Sequence, residues 1–162
     1  MHHAAASHEA GESVIKSLVD KGAFLSLTTR KGETAFDIAV RHGRDESVVN
    51  ALKLPVNVTD NKDIIGRMET ALHKIIQERC QFLLDEHGIQ LPQISIMWEA
   101  SEDPSLWFPV PGMYGGFRLE FEGEDLVSLS WIRICGGSEM RHVIHRDGTV
   151  TNESEKVAGT FT

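Results

Sequence analysis

Arg141-His142-Val143-Ile144-His145-Arg146 places two imidazoles three residues apart, a spacing that invites a metal reading. In a strand, residues three apart point to opposite faces. His142 and His145 then cannot reach one ion without a kink, and no metal site is expected. Cys135 stands beside Gly136-Gly137, where a thiol could act as nucleophile with His142 as its base across a hairpin. No oxyanion donor or third orienting residue accompanies the pair, so a core cysteine at a strand end is the better expectation. No catalytic residue and no cofactor is assigned; a small enzyme with its site near Cys135 and His142 stays as the alternative. Glu99, Glu102 and Asp103 gather carboxyl groups in one short stretch. Paired carboxyls could do acid-base work, whereas charge runs in loops are usually solvated.

The most unusual stretch is Trp107-Phe108-Pro109-Val110-Pro111-Gly112-Met113-Tyr114-Gly115-Gly116-Phe117. Prolines stiffen it, glycines let it turn, and Trp107, Phe108, Met113 and Tyr114 are large groups on what reads as a loop. A stiffened aromatic loop loses little entropy on docking. These four residues, with Glu99, Glu102 and Asp103, are therefore the candidate protein-binding residues. The competing expectation is that the aromatics fold back as a lid over one end of a sheet. Together with Ser130-Trp131, Gly136-Gly137 and Arg141-His142, the stretch resembles the tails of some uncharacterised bacterial proteins, a likeness that carries no site residues.

Periodicity locates the elements that must position these groups. Pro55 and Val56 to Thr59 read as an extended linker over 55–59, and Asp60 as the cap of a helix running to about His87, stopped by Gly88. Ile65, Met68, Leu72, Ile75, Ile76, Leu83 and Leu84 form its apolar stripe. Beyond it the period becomes two, which predicts strands at about 93–99, 115–122, 126–135, 139–146 and 148–152. Ile132 and Ile134 reverse the parity of Val127, Leu129 and Trp131, so a bulge near Trp131, or a strand end covered on both faces, is expected. Asp147-Gly148 centres a tight hairpin, and residues 153–162 read as a flexible tail.

The first third repeats itself. Ala4 matches Ala39 at a spacing of 35, and Val14, Ile15 and Leu18 match Val48, Val49 and Leu52 at 34. Each unit reads as two short helices. In the second, Thr34 caps, Ala39 packs closely and Gly43 turns the chain; Lys21-Gly22-Ala23 ends the first. Thr34-Ala35-Phe36-Asp37-Ile38-Ala39 and Met1-His2-His3-Ala4 resemble the opening of the ankyrin repeat, with Ala35 in place of its proline and Asp37 in place of its histidine. The resemblance covers residues 1–54 and implies protein binding. Stacked repeats ordinarily need roughly three units, so either earlier repeats are missing or the second domain caps the array. The expected fold class is α+β: a two-repeat ankyrin-like helical array over 1–54, then an α+β domain over 60–152 with a long helix packed on a four- or five-stranded antiparallel sheet.

Composition bounds the function. The chain has 162 residues, 41% hydrophobic and 25% charged, with a net charge of −8. Residues 1–55 carry seven basic and seven acidic groups, so the whole excess lies in 56–162. An acidic surface repels phosphate backbones and speeds capture of basic partners. The expectation is a bacterial cytoplasmic protein that binds another protein, with no nucleic acid and no membrane as partner. Within that class an inhibitor of a basic partner, such as an immunity protein, fits best; a fragment of an ankyrin-repeat effector is the other alternative.

Overall fold

A computed structural model describes residues 1–100, 103–132 and 138–153. Its helices are α1 His2–Ala6, α2 Glu12–Asp20, α3 Ala35–Arg41, α4 Glu46–Ala51, α5 Val56–Asp60, α6 Lys62–His87 and α7 Ser95–Glu99. Its strands are β1 Ser105–Val110, β2 Gly115–Glu122, β3 Asp125–Ile132, β4 Ser138–Ile144 and β5 Val150–Glu153. They divide between two units, Met1–Lys62 with Gln93–Ser101 and Asp63–Pro92 with Glu102–Thr162.

In the first unit α1 packs on α3 and α2 on α4. Ala5, Ala35 and Ala39 are fully buried, and their short side chains let helices approach closely around Ile15, Ile38, Val48 and Leu52. Thr34 does more than cap. Asp37 N–H donates to Thr34 Oγ1 at 3.2 Å while Asp37 Oδ2 accepts from Thr34 N–H at 2.8 Å, a reciprocal capping box. Thr34 also bridges Thr28 in a short antiparallel finger between the two helix pairs. Arg44 is buried, and its guanidinium donates to the carbonyls of Ala4, Ala5, Ser7 and Ala10, which ties off the α1–α2 connection.

Two expected elements of this unit are different. The 55–59 linker is helical, as α5, because Pro55 is well suited to stand at a helix start and burial of Val58 outweighs the weak helix propensity of β-branched residues. Asp60 therefore ends α5 and does not cap the long helix. The strand expected at 93–99 is replaced by α7: Ile94 and Met97, three apart, are the buried pair, so the alternation of Ile94, Ile96 and Trp98 follows no sheet face.

The second unit is α6 and a meander of five antiparallel strands in sequence order, β1-β2-β3-β4-β5. Phe117, Leu119, Leu126 and Ile144 are fully buried on the sheet face that meets α6, where Met68, Leu72 and Ile76 are equally buried. The helix kinks at Cys80 (φ −150°, ψ 27°), whose thiol donates to Ile76 O at 3.1 Å. Burial pushes that thiol's pKa up, and the nearby Arg79 charge only partly opposes this. The register of β3 is regular from Asp125 through Trp131 against β2 and from Leu126 through Ile132 against β4, so the bulge expected near Trp131 is absent there. The parity reversal comes from a strand with apolar groups on both faces: Leu126 and Ile132 on one, Val127, Leu129 and Trp131 on the other.

Candidate functional site

The stretch expected as an aromatic loop is mostly sheet. Trp107 and Phe108 lie in β1, paired with Arg118 and Phe117 of β2. Pro109 disguised the strand, yet proline is tolerated at a sheet edge, where one side of the backbone needs no donor. Alternation sends the two rings to opposite faces. Phe108 packs on Phe117 at a centroid separation of 6.2 Å, beside α6's face. Trp107 stacks on Trp131 at 5.0 Å across the strand between them, with 45% of its surface exposed. Gly116 makes that stack possible: a Cβ there would stand 2.9 Å from Trp107 Cη2 and 2.3 Å from Phe108 O.

The turn between β1 and β2 separates the other two candidates. Met113 is fully buried, so it is a core residue and not a contact residue. Gly112 (φ +80°) brings the turn against α6, where a Cβ would meet Leu83 Cδ2 at 2.8 Å. Tyr114 points outward, 75% exposed, in a left-handed conformation (φ +51°) that side chains adopt rarely. Phe82 of α6, 76% exposed, joins Trp107 and Tyr114 as a third exposed aromatic of this unit and is not among the candidates expected from the sequence.

The acidic trio does not act as one group. Glu99 belongs to the first unit, where its carboxylate accepts the N–H groups of Leu25 at 2.7 Å and Ser26 at 2.9 Å. Gln93 does a similar job with Thr28, accepting its N–H at 2.7 Å and donating to its carbonyl at 3.0 Å. Residues 93–99 thus hold the edge of the repeat finger. Asp103 is an exposed residue of the second unit with φ +30°. Glu102 and Cys135 lie outside the described residues.

His142 and His145 do not share a site. His145 follows β4, with Nδ1 3.0 Å from Asp125 Oδ2 and Nε2 3.1 Å from Thr151 Oγ1. His142 is only 5% exposed, directly across from Ser128 on the α6-facing side, and its Nδ1 has no hydrogen-bond partner. Burial, then the charge of Arg79, lowers its pKa below the ordinary 6.5, so it is neutral at physiological pH. Ser128 Oγ is likewise buried without a partner. Around the β2–β3 turn the acids are paired: Arg141 reaches Glu122 at 2.5 Å and also Glu153, and Arg146 meets Glu124.

No group of three or more histidine, cysteine or acidic residues with metal-binding geometry occurs among the described residues. None of the described helices is long and apolar enough to cross a membrane. Searches of curated proteins and of solved structures returned no match. Residues 1–54 match the family model described as ankyrin repeats (many copies). Within that span His2 Nε2 lies 2.9 Å from Leu27 O, the capping box opens α3, and two helix pairs stack across a finger. Residues 1–54 are an ankyrin-repeat segment, and such repeats are protein–protein interaction modules.

Proposed function

We propose that the chain is a non-enzymatic cytoplasmic binding protein whose acidic part captures a basic partner protein, as an inhibitor of the immunity type. The observation that carries this reading is the segregation of charge: all of the −8 belongs to residues 56–162, beside an ankyrin-repeat segment of zero net charge over 1–55. Long-range attraction between an acidic surface and a basic protein raises the association rate and is screened by salt over roughly 8–10 Å at physiological ionic strength. Trp107, half-exposed and held rigid by its stack on Trp131, and Tyr114 supply aromatic contact area at small entropic cost.

Purification from the native cell at low and at high salt tests it. A stoichiometric protein of high isoelectric point should co-purify at about 50 mM salt and be largely lost at about 500 mM. With that partner in hand, Trp107→Ala or Tyr114→Ala should weaken binding by at least about tenfold, roughly 1.4 kcal/mol. Recovery of the protein alone at low salt would sink the reading.

A further inference from the structure

Val150 and Asn152 stand on β5, an edge strand among the described residues, all four of whose residues are exposed. His145 N–H donates to Thr149 O at 2.9 Å at the head of the β4–β5 hairpin. An antiparallel ladder alternates bonded and non-bonded pairs from such a point, which turns the backbone N–H and C=O groups of Val150 and Asn152 outward. Their side chains meanwhile lie on the α6 side, because they pair with Ile144 and His142 of the buried face.

Between β5 and α6 runs a groove of about 590 Å³. Arg67, Thr70, Lys74 and Glu78 form its helical rim over Ala71 and Ile75. The hairpin turn closes one end: a Cβ on Gly148 would lie 3.4 Å from Arg67 Cβ, and Arg67 Nε donates to Arg146 O at 3.2 Å. At about 1.5 Å per residue the helical stripe spans roughly 16 Å, the length of about five extended residues. His142, 95% buried, lines the groove with its Nδ1 unpartnered.

Charge in the groove is uneven. Arg67 has no ion-pair partner among the described residues. Lys74 meets Glu78 only at 3.8 Å, both well exposed, and the Asp147 carboxylate already accepts Thr149 N–H and Oγ1–H at 2.8 and 2.7 Å. Arg67 and Lys74 are therefore two cations along the middle of the helical rim, with Glu78 beyond Lys74 and Asp147 in the turn at the closed end. We propose that this groove takes an extended peptide segment of a partner protein as a sixth strand. The segment bonds the outward groups of Val150 and Asn152, sets an acidic side chain between Arg67 and Lys74, and lays an apolar one over Ile75. This goes beyond the electrostatic reading, because backbone hydrogen bonds and apolar burial depend little on salt, and either can fail without the other.

Heptapeptides selected from a random phage-displayed library on the immobilised full chain provide the probe. Enriched sequences should carry Asp or Glu two positions from an apolar residue, since alternate side chains share a face. Adding the synthetic consensus peptide should slow amide exchange at Val150 and Asn152 by at least about tenfold. Asn152→Pro removes an outward donor at an edge that tolerates proline, and Thr70→Trp fills the groove from its exposed rim. Each should weaken binding at least about tenfold with far-UV circular dichroism unchanged. Five outcomes would overturn the proposal: no enrichment above background, undiminished binding by both variants, protection centred on Trp107 instead, an edge already protected in the free protein, or a concentration-dependent dimer abolished by Asn152→Pro, which would give the edge to a second copy.

Discussion

His142 carries a pH dependence that its position dictates. Burial lowers its pKa in the folded chain below the ordinary 6.5, so below that pH the unfolded chain binds the extra proton more readily than the folded one. Its contribution to stability is therefore complete above about pH 6.5 and is lost as pH falls through the folded value. His142→Leu removes both the titration and an unpartnered buried nitrogen. The melting temperature of the parent should fall more steeply between about pH 7 and about pH 5 than that of the variant, while the two are close at neutral pH. Parallel curves would mean that His142 takes up its proton equally readily in the folded and the unfolded chain, so that burial does not disfavour its charge. Only part of this was legible beforehand. His142 was visible as a histidine in a strand, but its burial follows from facing Ser128 and α6, which no local pattern announces.

The β1–β2 hairpin shows how an element can be misread and still be strongly specified. Two prolines and three glycines between Trp107 and Phe117 look like a loop, yet each proline or close-packed glycine has a place. Pro109 sits at an edge, Gly112 touches Leu83, and a Cβ on Gly115 would stand 2.0 Å from Trp131 O. Backbone against backbone cannot be relieved by a rotamer change. Gly115→Ala should cost about 3 kcal/mol in urea denaturation, whereas Gly123→Ala, at φ +63° in an open turn, should cost about 1 kcal/mol. The reverse order would contradict the close pairing of β2 with β3. β2 spans Gly115–Glu122, where the alternation is uninterrupted and one face is wholly apolar.

At the scale of the whole molecule, the first unit is assembled from two stretches of chain, Met1–Lys62 and Gln93–Ser101. Glu99 and Gln93 occupy backbone N–H groups of the repeat finger that residues 1–62 alone would leave to solvent. Glu99→Ala in the full chain should lower stability by about 2 kcal/mol, because charge-assisted hydrogen bonds are the stronger kind, and Glu99→Gln should lose less. Chemical denaturation read by circular dichroism checks the order; equal losses would reduce Glu99 to a packing role. By itself the sequence determined the repeat over 1–54, the long helix, the later strands and the acid–base segregation, because periodicity, turn residues and charge are local quantities. Only the tertiary structure decided that 93–99 is helical and serves the repeats, that Met113 is core and Trp107 half-open, and that β5 leaves an edge beside a groove. These depend on which distant surfaces bury a residue, and burial outweighs the few tenths of a kcal/mol by which local preferences differ.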